Sequence, residues 1–265
     1  MAHDHDHNHM IELLDLDAEV LNDYFRDLIG WVGREAADGP RIVDLGAGSG
    51  TASLALARQL PDATVTAVDM SPEMLAHLRS RADAAGLGDR IRTVEADLDQ
   101  PWPDLGPTDV IWAAASMHHL ADPAKALNSA YDTLLPGGLL VIAELESFPR
   151  FLTGTADEDV ELRGHAEAAK RRHEAGMHMH ENWGDRANQA GFTAVAERHF
   201  DIDLRPPLPA AATRYAQVSL ARMRHGLEEQ LSAADRAALE TIVEGLVDRD
   251  DLSVRTERTV WLARR

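Results

Sequence analysis

The spacing of apolar residues changes period along the chain, and the changes mark its elements. In LDAEVLNDYFRDLIGWVGREAADGP, Val20, Leu21, Tyr24, Phe25, Leu28, Trp31 and Val32 recur at three- and four-residue steps. That is one face of a helix, with Asp17 as its N-cap and Gly39 and Pro40 as its stop. Short apolar runs follow in RIVDLGAGSG, ATVTAVD, RIRTVEAD, TDVIWAAA and GGLLVIAELE. Helix-like stretches separate them, two of which open on a capping side chain followed by proline: Ser71 with Pro72, and Asp122 with Pro123. Strands alternating with helices predict an α/β fold with a parallel sheet covered on both faces.

The rhythm breaks after Glu146. Residues 147–178 are charged, rich in histidine and helical in character, an insertion above the sheet. HENWGDRANQAGF reads as a helix ended by Gly191, TAVAERHFDIDL alternates as a strand, and VRTERTVWLARR closes the chain as another. The expected partition is 1–40 for a tail and first helix, 41–146 for the core and 147–178 for a helical insertion. Residues 179–205 supply a core helix and the sixth strand, 206–248 a second helical insertion, and 249–265 the final strand. No internal repeat is visible.

Composition narrows the function. The 265 residues are 45% hydrophobic, enough for a full core. With 45 acidic against 26 basic residues the formal net charge is −19, which repels a phosphate backbone and removes nucleic acid as a partner. The absence of cysteine excludes disulfides, thiolate catalysis and cysteine-ligated zinc. No signal peptide and no apolar run of about 18 residues are seen, so a soluble, cytoplasmic protein without membrane partners is expected, as monomer or homodimer.

In VDLGAGSGT, Gly46, Gly48 and Gly50 follow a buried strand and open a helix, so a ligand can approach the backbone without meeting a Cβ. The next strand ends in Asp69, an acidic side chain placed to accept hydrogen bonds from ribose hydroxyls, and a nucleoside-containing ligand follows. The loop lacks the Gly-Lys-Ser/Thr of a phosphate loop, and Thr51 stands where a dinucleotide loop has its third glycine. A purely structural turn stays open as the alternative.

VDLGAGSGT, AVDMSPEML, VEADLDQPWP, DVIWAAASMHHLADPAKAL and LLPGGLLVIAEL fall in the order and spacing of the Class I S-adenosylmethionine-dependent methyltransferases. The chain resembles that family over residues 40–146, and again in ANQAGF and the closing strand. The resemblance implies a Rossmann-like, doubly wound, seven-stranded, mostly parallel sheet with its last strand antiparallel, the helical insertions forming a cap. It implies S-adenosyl-L-methionine as cofactor across the carboxyl ends of the strands. Asp44 and the loop of Gly46, Ala47, Gly48 and Gly50 would line its methionine end. Asp69 would hold the ribose, Met70 would pack on the adenine, Asp97 would accept the adenine amino group and Leu98 would lie against the ring. Ala113, Ala114, Ser116 and His118 would border the sulfonium.

An enzyme that moves this methyl group to a small-molecule acceptor is the leading expectation, with oxygen first and nitrogen or carbon otherwise. The alternatives are a non-methyl reaction that uses the same cofactor, a cofactor-sensing module and a nicotinamide oxidoreductase. For proton removal His118 and His119 are the candidates, or else they order the loop. Glu144 and Glu146 share a strand face and either orient the acceptor or are solvated. His165, His173, His178 and His180 sit in or beside the first insertion; His178 and His180 lie at strand spacing and are candidates for substrate contact and, with His118 and His119, for catalysis. No H-x-x-x-H or H-E-x-x-H pair occurs there, and no metal is predicted. Tyr24, Phe25, Trp31, Phe148, Phe151, Trp183 and Tyr215 are candidate wall or core residues. In the opening HDHDHNH, an extended chain would put His3, His5, His7 and His9 on one face; an unstructured tail and a lid extension are the two readings of it.

Overall fold

The computed structural model describes residues 2–265, with side chains from His9 onward. Helices α1 (Ala2–Val20) and α2 (Asn22–Glu35) lead into β1 (Arg41–Leu45), α3 (Thr51–Gln59), β2 (Thr64–Asp69), α4 (Pro72–Ala84), β3 (Ile91–Glu95) and β4 (Thr108–Ala114). Then come α5 (Pro123–Thr133), β5 (Leu134–Leu145), α6 (Glu158–Glu174), α7 (Trp183–Gln189), β6 (Thr193–Leu204), α8 (Ala212–Gly226), α9 (Ala233–Gly245) and β7 (Val254–Arg264). The seven-stranded sheet has the order β3-β2-β1-β4-β5-β7-β6. Strands β1 to β5 pair in parallel, and the last strand is antiparallel, as expected.

The chain divides into two compact units. The sheet unit comprises Asp23–Leu145, His180–His199 and Thr259–Arg265. Its helices begin where local chemistry starts them: Ser71 Oγ accepts from the Met74 N–H at 3.2 Å, Asp122 from Lys125 at 3.0 Å and Asn182 from Asp185 at 3.0 Å. Helix α7 is followed by Gly191, whose φ of 99° suits glycine alone. Apolar side chains of β1, β2, β4 and β5 pack with Met117, Leu127, Trp183, Phe192 and Trp261 into one core. That core covers one face; the alternate residues Ile42, Val110, Trp112 and Val141 are buried on the other, so the strands and their carboxyl ends are held from both sides.

The helical unit comprises the N-terminal segment through Asn22, Glu146–Met179 and Phe200–Arg258. In it α8 packs on α1, α6 and α9. A Cβ at Gly164 would collide with the Met223 sulfur, so α6 and α8 approach through that glycine. Glu161 is buried on α6, and its carboxylate accepts the N–H groups of Phe151 at 2.8 Å and Leu152 at 2.9 Å. Phe151 meets the Tyr215 ring edge-on at 5.1 Å.

Two expectations are corrected here. Asp17 lies inside α1 and is no N-cap; its carboxylate is taken by the Tyr215 hydroxyl at 2.5 Å and by Arg258 at 3.0 Å. The backbone of 2–20 is helical, so alternate positions of the opening segment do not share a face as they would in an extended chain. The side chains of His3, His5 and His7 lie outside the described residues; His9 is exposed.

Candidate functional site

The glycine loop leaves β1 and is tied down on both sides. The N–H groups of Gly46 and Ala47 donate to the Val68 carbonyl at 2.8 and 2.9 Å, and Arg81 donates to the Ser49 carbonyl at 3.0 Å. Gly46, Gly48 and Gly50 all have positive φ, and a Cβ on Gly46 would stand 2.6 Å from that of Ser116. The loop after β1 is therefore pressed against the loop after β4 with no room for a side chain. The Ser116 hydroxyl, buried at this contact, has no hydrogen-bond partner.

Asp69 ends β2. One carboxylate oxygen accepts from Gly48 N–H at 2.8 Å and the other from Ser71 N–H at 2.9 Å, which fixes the group and leaves a lone pair on each for further donors. Beside it Met70 is 69% exposed, an apolar side chain held in the open. After β3, the Ala96 N–H donates to the Asp69 carbonyl at 3.0 Å, and the Asp97 carboxylate accepts from Asp99 N–H at 2.9 Å. Asp44, on β1, is 2% exposed, and burial pushes its carboxyl up to about 6 against a pull in the other direction from the Ser53 hydroxyl, which donates to it at 2.6 Å. No cation pairs with it among the described residues, and the charge of Asp69 raises it further.

Acceptors at the ends of successive strands, an exposed apolar side chain and a buried carboxylate without a counter-ion fit a phosphate-free, cationic adenosine derivative. S-adenosylmethionine has that chemistry: vicinal hydroxyls, an adenine amino group and positive charge at the methionine end. The Ser116 hydroxyl, buried against the glycine loop, is a further polar group without a partner there.

The loop after β4 carries the second cluster. Its first residue, Ala115, has a φ of 51°, and its N–H donates to the Ala143 carbonyl of β5 at 2.8 Å. Glu144 is buried rather than solvated. One of its oxygens accepts the Met117 N–H at 2.9 Å, and the other lies 2.5 Å from His118 Nδ1. His118 is itself buried, and the His119 ring, in the exposed residue next to it, stands 4.2 Å away, centroid to centroid. The carboxylate thus fixes the ring and directs Nε2 away from Glu144.

The remaining expected site residues differ in their surroundings. Ala113 and Leu98 are core residues; Ala114 is half-buried. His178 lies in an irregular stretch and His180 in a turn with a φ of 59°, so the expected strand spacing is absent, and the two belong to different units. His173 is exposed. Tyr24, Trp31, Phe151, Trp183 and Tyr215 are buried in their units, whereas Phe25 and Phe148 are half-buried. Sequence reasoning missed the roles of Ser53 and Glu144 as partners of Asp44 and His118. Position near a strand end was the only signal for Glu144. Among the described residues no group of three or more histidine or acidic side chains could hold a metal ion.

Residues 42–138 match the model of a family described as Methyltransferase domain. The chain is 41% identical over 111 residues to a demethylmenaquinone methyltransferase of Thermus thermophilus, covering 42% of this chain and 49% of that protein. It is 34% identical over 112 residues to a ubiquinone/menaquinone biosynthesis C-methyltransferase of Cereibacter sphaeroides, covering 42% of this chain and 44% of that one. The matched stretch therefore spans about half the length of these curated relatives. A solved structure of phosphoethanolamine N-methyltransferase 2 from Haemonchus contortus, in complex with S-adenosyl-L-methionine, has the same fold. The TM-score is 0.51 at 19% identity, over 88% of this chain and 51% of that one.

Proposed function

We propose, from the premise that residues 42–138 are a Class I S-adenosylmethionine-dependent methyltransferase domain, that this chain methylates a small molecule whose nucleophilic atom carries an acidic proton. A phenolic or enolic oxygen is the first choice, and the conjugated carbon of the same group the second. The observation that carries the reading is the fixed row of acceptors at the strand ends, Asp44, Asp69 and Asp97, around a glycine loop closed against Ser116. Two relatives, named a demethylmenaquinone methyltransferase and a ubiquinone/menaquinone biosynthesis C-methyltransferase, support a quinone-type small molecule, and the second name supports the carbon as acceptor atom.

When bound, S-adenosylmethionine supplies an activated methyl group on a sulfonium leaving group. The chain has the remaining tasks. Asp69, fixed by two backbone N–H groups, holds the ribose; Asp97 takes the adenine amino group, and Met70 covers its ring. Asp44 balances positive charge where a cation without a partner would be costly. The rigid loops after β1 and β4 orient the reactants, an effect worth about 7–11 kcal/mol in well-aligned reactions. His118, with Nδ1 held by Glu144, takes the acceptor proton at Nε2. His119 keeps the loop in place beside it and takes no proton.

Incubation with methyl-labelled cofactor and a panel of phenols, quinols and enolisable acids tests the reading. Label appearing in one acceptor with an equal amount of S-adenosylhomocysteine is the expected result; full cofactor binding with no label transferred to any acceptor contradicts it. With that acceptor, His118→Asn and Glu144→Gln should each lower kcat about 10²-fold with little change in cofactor KM. A raised cofactor KM at unchanged kcat would instead make the pair a loop-ordering device. His119→Ala should stay near wild-type turnover.

A further inference from the structure

In a chain of net charge −19, the helical unit gathers three arginines around residues 148–150. Arg150 and Arg255 form an antiparallel bridge in which each donates its N–H to the other's carbonyl, at 2.8 and 2.9 Å. Residues so paired send their side chains to the same side, about 5 Å apart at Cβ. Two guanidiniums directly opposite one another repel, and such a pair costs stability unless an anion is shared between them.

The third arginine approaches from α6. Arg172 lies over the Phe148 ring at 3.5 Å from its centroid, half-buried, and burial pushes its guanidinium down to about 10. Stacking occupies the face of the guanidinium and leaves its N–H edge for another partner. Neither Arg172 nor Arg255 has an ion pair among the described residues, and Arg255 Nε is buried without any hydrogen-bond partner. The charges of Arg172 and Arg150 both reach the His165 ring, which burial first and these two charges second push down to about 4.

Two of the nearby carboxylates, on or beside α6, are committed elsewhere. Glu161 spends its oxygens on the Phe151 and Leu152 N–H groups, at 4.0 Å from His165 Nε2. Glu158 accepts from Gly154 N–H at 2.8 Å and approaches Arg150 only to 3.9 Å.

We propose that Arg150, Arg172 and Arg255 form a binding site for an oxyanion, the carboxylate or phosphate group of a small molecule. Forked N–H donors match the paired oxygens of both groups, and an oxyanion would turn the repulsion between Arg150 and Arg255 into a shared attraction. It would also satisfy the buried Arg255 Nε. The proposal does not rest on methyl transfer, and its test reads binding without cofactor or acceptor.

Calorimetric titration of the full chain with inorganic phosphate and with succinate, at constant ionic strength, tests it. Saturable binding of either probe is expected, and the tighter one assigns the group. Arg172→Met and Arg255→Met should each weaken binding about tenfold, while Arg163→Met, which removes an exposed pair with Asp235, should not. If either methionine variant does not fold, the corresponding lysine variant decides: it keeps the charge, loses the fork and should still bind more weakly. No saturation with either probe, an equal response to chloride, or wild-type affinity in the folded arginine variants would overturn the site.

Discussion

Asp44 shows how a single residue carries both a cost and a use. Burial raises its carboxyl from 3.8 to about 6, the Ser53 hydroxyl opposing and Asp69 adding to the rise. A carboxyl raised in the folded state holds its proton more tightly there than in the unfolded chain. Its contribution to stability is therefore full below about 3.8 and is lost as pH rises through about 6. Asp44→Asn, which can still accept from Ser53, should stabilise the cofactor-free protein by about 1–3 kcal/mol at mildly alkaline pH. The gain should vanish on the acid side of that window. Chemical denaturation of both proteins at the two ends measures it, and an equal difference at both would reject the assignment. The same substitution should weaken binding of the cationic cofactor, the use that offsets the cost. Asp69 was legible in sequence because it ends a strand, whereas Asp44 and Asp97 entered only through the family resemblance. Glu144 as the partner of His118 was not legible, because the residue it holds lies 26 positions away and is brought to it by strand pairing.

At the scale of elements, what was legible is what local chemistry decides. Ser71 and Asp122 cap helices as their sequence context predicts, and the alternation in TAVAERHFDIDL becomes β6 over the same residues. The break between α1 and α2 at Leu21 was not legible: the apolar period runs through it, and Asp17 is claimed by Tyr215 from α8. The glycine loop offers a test of element packing. A Cβ on Gly50 (φ 83°) would collide with Leu78 of α4, whereas one on Gly86 (φ 68°) would meet nothing within 4 Å. Both alanine substitutions carry the cost of a left-handed backbone, about 1–2 kcal/mol, but only Gly50→Ala adds overpacking of about 1–3 kcal/mol. Thermal unfolding should show Gly50→Ala clearly the less stable of the two. Equal losses would mean that α4 yields to the loop.

For the molecule as a whole, the parallel sheet was legible because each βα unit repeats a local pattern, and the Class I resemblance rests on that same stretch. The helical unit was legible only as separate insertions, since its parts come from three distant segments joined by pairings such as Glu12 with Arg214 and Asp157 with Arg249. The strong acidity of the chain makes the arginine cluster around residue 150 stand out as something other than general surface charge. No described helix is long and apolar enough to cross a membrane.

The central claim is that the strand-end carboxylates around the glycine loop hold S-adenosylmethionine. Calorimetric titration of the cofactor into the full chain and into its Asp69→Ala variant tests it most directly. One equivalent bound per wild-type chain is predicted, with affinity reduced about 10- to 100-fold in the variant, the loss for hydrogen bonds to a charged acceptor. An absence of binding to the wild type, or equal affinity in both proteins, would contradict the account.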